Sequence, residues 1–424
     1  MPQTPTPPTY YILTPQSQPR TPIALPTERR ALVARLQRLM GTTVSAQIAC
    51  SPFQEAQANA AADRCMAWFA KVNTCLSRFD PTSEISALNR SAGRWFAASP
   101  TLFAAVTVAL AAAHGSDGLF DPTLLGRLES LGYDRDFAQI AHREVASNHA
   151  ARPLAPQAEG GWRAIQLDRA RRRIRLPADV ALDLGGIAKG WAADVAFMRY
   201  CGSFPGALLN VGGDLRAHGG PQPGAGWTVG VRDPRRDGLP DDEVEVADLQ
   251  RDTPYLAIIT ISRGGLATSG AARRWWLRNG ERQHHLLDPR TSEPIPLWTD
   301  GAGDTTLLAT ATALAPTATQ AEVAAKVALL HGPDQALATV DTAWDATFDV
   351  YTRHGTVDTP LALLLVDGAG ELRLSRSIND YLASWATEGG AIPPLRPWLD
   401  DEINAGVDWI ALTSDIPAEL QTEK

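Results

Sequence analysis

A chain of 424 residues, 44% hydrophobic and 20% charged, carries ample apolar material for a globular core. Its formal net charge of −8 at pH 7 argues against a nucleic-acid-binding role, because phosphate backbones are held by clustered Lys and Arg. No apolar run reaches the roughly 20 residues of a membrane span, and Cys50, Cys65, Cys75 and Cys201 contain no Cys-x-x-Cys pair that would signal a metal or disulfide framework.

Residues 1–28 are rich in Pro, Thr and Gln and poor in bulky apolar groups. Such a segment cannot offset its ordering entropy and is expected to be a disordered tail. It has no basic segment followed by an apolar stretch and no cysteine to carry a lipid, so the expected location is cytoplasmic. Thr27 reads as the cap of a helix through Arg30, Leu32, Leu36 and Leu39, and Thr42 to Cys50 reads as an alternating strand. Ala56 to Phe79 and Thr101 to His114 have helical apolar spacing, with an irregular stretch between them and a loop at Gly118 to Thr123.

Trp162 to Pro177 suggests a two-stranded hairpin, whose basic run Arg169-Ala170-Arg171-Arg172-Arg173 reads as a solvated face. Asp183 to Gly190 is a glycine-containing loop entering a helix with Trp191, Val195 and Met198. Ala207 to Val211, Trp227 to Val231, Leu256 to Ile261 and Leu361 to Val366 read as strands. Ala321 to Leu330 reads as a helix stopped by Gly332-Pro333. Helices and strands alternate without a βαβ period, so the expected class is α+β. The expected domain covers 29–385. A polar tail, 386–424, follows, which Trp398, Trp409 and Ile410 could dock.

Several chemistry-bearing motifs are absent. No G-x-G-x-x-G follows a strand, Trp191 stands where a P-loop would need Lys, and no His-Glu-x-x-His occurs. Four polar loop clusters remain. Asp183 to Lys189 offers backbone N–H groups and a Lys charge at a helix start, suited to a pyrophosphate, or is a plain connector with Lys189 in solvent. His284-His285 before Asp288-Pro289-Arg290 could supply a general base or a hydrogen-bond donor to phosphate, or be a polar loop. Asn210-Val211-Gly212-Gly213-Asp214 allows close ligand approach, or is a tight turn with Asp214 as cap. Thr268-Ser269-Gly270 precedes Arg273, Arg274, Trp275 and Trp276, whose aromatics suit a strand core better than a stacking platform.

Taken in order, Asp183 to Asp194, Asn210 to Asp214, Thr268 to Gly270 and His285 to Thr291 resemble the ApbE family of FAD:protein FMN transferases. Upstream, Met40-Gly41-Thr42 looks like that family's opening strand. Ser77-Arg78-Phe79 through Asn89 is similar to its Ser-x-Tyr…Asn loop, and Phe120-Asp121-Pro122-Thr123 to its Phe-Asp-Pro-Thr turn. The resemblance spans roughly residues 38 to 332.

It implies an ApbE-like mixed α/β domain with mostly antiparallel sheets and flanking helices. It also implies that FAD is a substrate, that FMN is joined through a phosphoester to a Thr or Ser of an acceptor flavoprotein, that AMP is released, and that Mg²⁺ assists. By the same resemblance, Met40, Phe79, Leu119, Phe120, Asp121 and Leu286 line the FAD pocket, Asp183 and Lys189 hold the dinucleotide, His285 is the candidate base, and the Ala188 carbonyl and Glu322 face the metal.

Four positions depart from the family pattern. Phe79 replaces a usual Tyr, and Ser292 replaces a usual Gly. The family's Ala-Asp-x-x-x-Thr aligns with Ala321 to Lys326, so Glu322 stands for the Asp and Lys326 for the Thr. Either the Lys326 ammonium takes the metal's place, or Glu322 and Lys326 form an ordinary i,i+4 pair worth roughly 0.2–0.5 kcal/mol and metal-dependent catalysis is weakened. A non-catalytic FAD-binding protein and a Mg²⁺-dependent FAD pyrophosphatase are the rival readings.

Overall fold

The computed structural model describes residues 30–145, 161–234, 255–271, 274–296, 305–342 and 361–385. The expectations for tails 1–28 and 386–424 lie outside these residues, as does Thr27. The helix expected up to Leu39 is instead strand β1 (Ala31–Leu39), paired antiparallel with β2 (Thr42–Cys50) from Ala31↔Cys50 to Leu39↔Thr42. Leu32 and Leu36, whose spacing mimics a helix, are 51% and 73% exposed, while Val33 is buried. The turn decides the outcome. Met40 and Gly41 both take positive φ, 53° and 67°, the two-residue geometry that matches the twist of a hairpin.

Helix α1 (Glu55–Leu76) follows, then α2 (Glu84–Arg90), β3 (Trp95–Ala97) and α3 (Pro100–Gly115). The stretch expected to be irregular thus contains α2. Its cap is Ser83, whose Oγ accepts the Ser86 N–H at 3.2 Å. Ser99 does the same for α3 through the Leu102 N–H, with Pro100 in the first turn. Short helices α4 (Leu125–Ser130) and α5 (Phe137–Ile140) lead to the hairpin of β4 (Gln166–Asp168) and β5 (Arg173–Arg175). There Arg173 pairs with Asp168 at 2.6 Å and Arg171 is exposed, as a solvated basic face requires.

The chain continues through α6 (Ala188–Ala196), β6 (Gly206–Val211), β7 (Asp214–Gly219), β8 (Trp227–Arg232), β9 (Tyr255–Ile261) and β10 (Arg263–Gly270). Next come β11 (Trp275–Arg278), β12 (Glu281–His284), β13 (Leu287–Asp288), β14 (Glu293–Pro294) and β15 (Leu308–Ala315). Helix α7 (Ala318–Thr342) is broken at Gly332, which has φ 72°. Pro333 then starts a second helical stretch, where the sequence suggested only a stop. Strands β16 (Ala362–Asp367), β17 (Leu372–Leu374) and β18 (Leu382–Trp385) end the described chain.

Eight strands form one sheet in the order β1-β2-β6-β7-β10-β15-β16-β17, antiparallel at every pairing. Its two faces follow the period of two. Ala207, Leu209 and Val211 of β6 pack under α1, α3 and α6, and Ala311, Ala313 and Ala315 of β15 pack under α7. On the opposite face, Leu208, Leu215, Leu266 and Leu314 meet Trp227, Ile259 and Ile261 of the smaller β18-β9-β8 sheet. The architecture is α+β, with a large antiparallel sheet between helices and a second sheet. Among the described residues, no helix is long and apolar enough to cross a membrane.

Candidate active site

A cavity of about 1140 Å³ lies against β2, β6, β7 and β10 of the main sheet, somewhat beyond the roughly 300–1,000 Å³ of ordinary small-molecule sites. Met40, Phe79, Leu119, Phe120, Asp121, Asp183, Ala188, Lys189, His285 and Leu286 all line it. Glu322 does not; it is fully buried behind the wall.

The loops that carry these residues are tied to one another. Asn89 clamps the approach to the glycine loop, its amide donating to the Leu182 carbonyl at 3.0 Å and accepting the Leu182 N–H at 2.8 Å. The Asp183 N–H donates to the Pro122 carbonyl at 2.9 Å, which joins the Asp183 loop to the Phe120 turn. Asp121 holds that turn by accepting the Thr123 N–H at 2.7 Å. Burial pushes the Asp121 carboxyl above its ordinary value, against the Thr123 hydrogen bonds.

Sequence reasoning passed over Arg78. Its guanidinium lies 4.1 Å from the Phe79 ring centre and 4.4 Å from that of Tyr133. It donates to the Tyr133 carbonyl at 2.8 Å and pairs with Asp183 at 3.2 Å. Arg78 therefore fixes both the aromatic wall and the Asp183 carboxylate, and its guanidinium packs against the Phe79 ring.

The charged end of the cavity forms where α6 and α7 meet. Gly190 lets them close: a Cβ there would sit 2.5 Å from the Ala318 carbonyl oxygen. Asp194 caps α7, accepting the Ala318 and Thr319 N–H groups at 3.0 and 2.8 Å. Glu322 reciprocates, its Oε2 accepting the Gly190 N–H of α6 at 2.9 Å. The expected phosphate loop is thus largely satisfied from within, since the Gly185 N–H also donates to Asp183 at 2.8 Å. Positive charge reaches the cavity through side chains instead, from Lys189, Lys326 and Arg274.

Lys189 is not a solvated lysine. Its ammonium bonds to the buried Asp214 and lies 3.7 Å from Glu322 Oε1. Burial opposes that charge, but Asp214 and Glu322 outweigh it and raise the Lys189 pKa. Asp214 starts β7 after a tight turn in which Gly212 and Gly213 have φ 66° and 96°, so it is an ion-pair partner rather than a cap. Lys326 donates to the Glu322 carbonyl oxygen at 3.1 Å and lies 3.4 Å from Glu322 Oε1. Burial pulls the Lys326 ammonium below the ordinary lysine value, opposed by Glu322 and Asp214.

This donor set does not suit Mg²⁺, which needs near-octahedral oxygens at about 2.0–2.1 Å. Glu322 Oε2 is bound to a backbone N–H and Oε1 faces two ammonium groups. Among the described residues, no group of three or more His, Cys, Asp or Glu is placed to hold a metal.

The two adjacent histidines part company. His284 is fully buried and satisfied, with Nε2 2.9 Å from the Ile295 carbonyl and Nδ1 accepting the Leu286 N–H at 3.2 Å. His285 lines the cavity, and its buried Nδ1 has no hydrogen-bond partner among the described residues. Burial, then the Arg274 charge, holds its pKa well below the ordinary 6.5. A neutral imidazole with an open nitrogen can accept a proton. Trp276 is buried core, donating its indole N–H to the Leu131 carbonyl at 2.8 Å, so it is no stacking platform.

Ser292 sits at φ 59°, left-handed backbone that disfavours side chains. Ser292→Gly should therefore raise stability by about 1 kcal/mol, read as a melting temperature about 2 °C higher. An unchanged or lower melting temperature would show that the Ser292 contacts outweigh the strain.

Fold and cavity together define the class: an α+β protein with a large cavity, a cationic end and a histidine of open Nδ1 beside it. The sequence profile of the ApbE family matches residues 40–348, and the chain belongs to the ApbE family. It is 28% identical over 252 residues to the FAD:protein FMN transferase of Chlamydia trachomatis, covering 58% of this chain and 69% of that protein. It is 26% identical to that of Klebsiella pneumoniae, covering 66% and 74%. The crystal structure of the ApbE protein from Thermotoga maritima superposes with a TM-score of 0.61 at 22% identity, over 83% of this chain and 99% of that one. Apo flavinyl transferase ApbE from Pseudomonas stutzeri gives 0.61 at 20% identity, over 84% and 98%.

Proposed function

We propose that this chain is an FAD:protein FMN transferase that moves FMN from FAD to a Thr or Ser hydroxyl of an acceptor flavoprotein. The acceptor oxygen attacks the FMN-side phosphorus and the bond from that phosphorus to the bridging oxygen breaks. AMP leaves with the bridging oxygen, and the hydroxyl proton passes to His285 and then to solvent. FAD and acceptor alcohol thus become FMN–acceptor ester and AMP.

The observation that carries this reading is convergence. Residues picked from five separate stretches of sequence, from Met40 to Leu286, line one cavity. Met40, Leu119, Phe120 and Leu286 offer the apolar surface that flat rings need. Asp183, steadied by Arg78, offers a carboxylate to ribose hydroxyls. Lys189 and Arg274 offset the charge that gathers on the pyrophosphate as the bond breaks.

The test is AMP release from FAD, followed chromatographically with and without an acceptor domain that one of the transferase relatives modifies. Acceptor-dependent AMP supports transfer. AMP at the same rate without acceptor would make the protein a pyrophosphatase, and no AMP in either case would leave only FAD binding.

A further inference from the structure

Resting on the transferase reading, we propose that the Lys326 ammonium occupies the cation position of this site, so that FMN transfer runs without a divalent metal. The geometry supports this at each contact. Lys326 reaches the cavity over the glycine turn: a Cβ on Gly186 would lie 3.2 Å from Lys326 Cε. Two of its three donors face Glu322, which leaves one for a phosphate oxygen in the cavity that it lines. Its counter-charges are already balanced. Asp214 and Glu322 supply two negative charges, and Lys189 and Lys326 two positive ones.

Adding Mg²⁺ would place a dication against two ammonium groups and would require Glu322 to abandon the N–H of α6. A fixed ammonium does the metal's electrostatic work here, holding a non-bridging oxygen and offsetting the negative charge that AMP carries away. The bond changes are those given above, and no additional reactant enters.

The experiment measures FAD affinity by calorimetry and FMN transfer by acceptor mass, each in EDTA and in excess Mg²⁺. Wild-type affinity and rate should agree in the two buffers within about twofold, because no metal contributes to either. Lys326→Met should weaken FAD binding by about 10- to 100-fold, the loss of one charge-assisted hydrogen bond. It should leave riboflavin binding unchanged, since riboflavin has no phosphate, and Lys326→Arg should restore most of the FAD affinity. Glu322→Asp combined with Lys326→Thr should make FAD affinity respond to Mg²⁺.

A wild-type protein whose FAD affinity or transfer rate collapses in EDTA and recovers with Mg²⁺ overturns the proposal and leaves the transferase reading standing. Equal loss of riboflavin and FAD binding in Lys326→Met would overturn it too, by making Lys326 a packing residue. FAD binding that ignores Mg²⁺ but never leads to flavinylation defeats the transferase reading and keeps Lys326 as the phosphate cation.

Discussion

Replacing His285 with alanine lowers FMN transfer by about 10²–10⁴-fold and changes FAD affinity by less than about threefold. The asymmetry follows from what His285 touches. Its Nδ1 is buried without a partner among the described residues, so the ring holds no part of the fold through that atom. Its reluctance to carry charge comes first from burial and then from Arg274, which keeps it ready to accept a proton. The rate should therefore fall only as acid charges this imidazole, so the acid limb of the pH–rate profile should lie below the 6.5 of an ordinary histidine. His284→Ala behaves differently: its two backbone contacts are structural, and its loss should lower the melting temperature. A His285→Ala protein that loses FAD binding in parallel with transfer would make His285 a binding residue.

The second large effect is expected at Lys189. Its side chain keeps only 20% exposure, and the carboxylates it faces, Asp214 and Glu322, keep 3% and 1%. Lys189→Met leaves two buried anions with Lys326 as their near cation, and breaking a buried pair from one side costs about 3–5 kcal/mol. The variant should melt roughly 5–10 °C lower and bind FAD about 10- to 100-fold more weakly.

The pH dependence has a definite sign. Burial already raises the Asp214 pKa in the folded protein, and Lys189 opposes that rise. Without Lys189 the folded state takes up a proton at Asp214 more readily than the unfolded chain, so the stability deficit is full between the raised Asp214 titration and the ordinary lysine value of 10.5, and shrinks as pH falls through the Asp214 range. Adding Asp214→Asn removes one orphaned charge and should return more than half of the lost stability. Purely additive losses in this double-mutant cycle would show that the two residues do not interact.

The sequence announced the site better than the fold. Turn residues carry their chemistry locally, so Asp121-Pro122, Gly185-Gly186 and Gly212-Gly213 could be read as loops without a partner in view. Strand β1 could not, because its identity is settled by nine residues of pairing with β2, while its own leucines repeat at helical spacing. Likewise β2 finds its other neighbour in β6, more than a hundred residues on, and no local pattern encodes that pairing.

Within the site, the missed features were relations between distant residues. Arg78 becomes informative only once Tyr133 supplies its second ring, and Lys189 only once Asp214 and Glu322 surround it. The resemblance singles out His285, but what separates it physically from His284 is tertiary: His284 has both ring nitrogens occupied by backbone, while His285 faces the cavity. Ser292 is the converse case. The glycine usual at that position in the family is explained by one backbone angle, φ 59°, that composition cannot reveal.

FMN transfer is tested most directly by the intact mass of an acceptor domain, taken from a flavoprotein that a transferase relative modifies, after incubation with this protein and FAD. A transferase produces a gain of one FMN less one water, borne on a Thr or Ser and matched by an equal amount of AMP. An acceptor of unchanged mass beside intact, protein-bound FAD, in EDTA and in Mg²⁺ alike, would contradict FMN transfer.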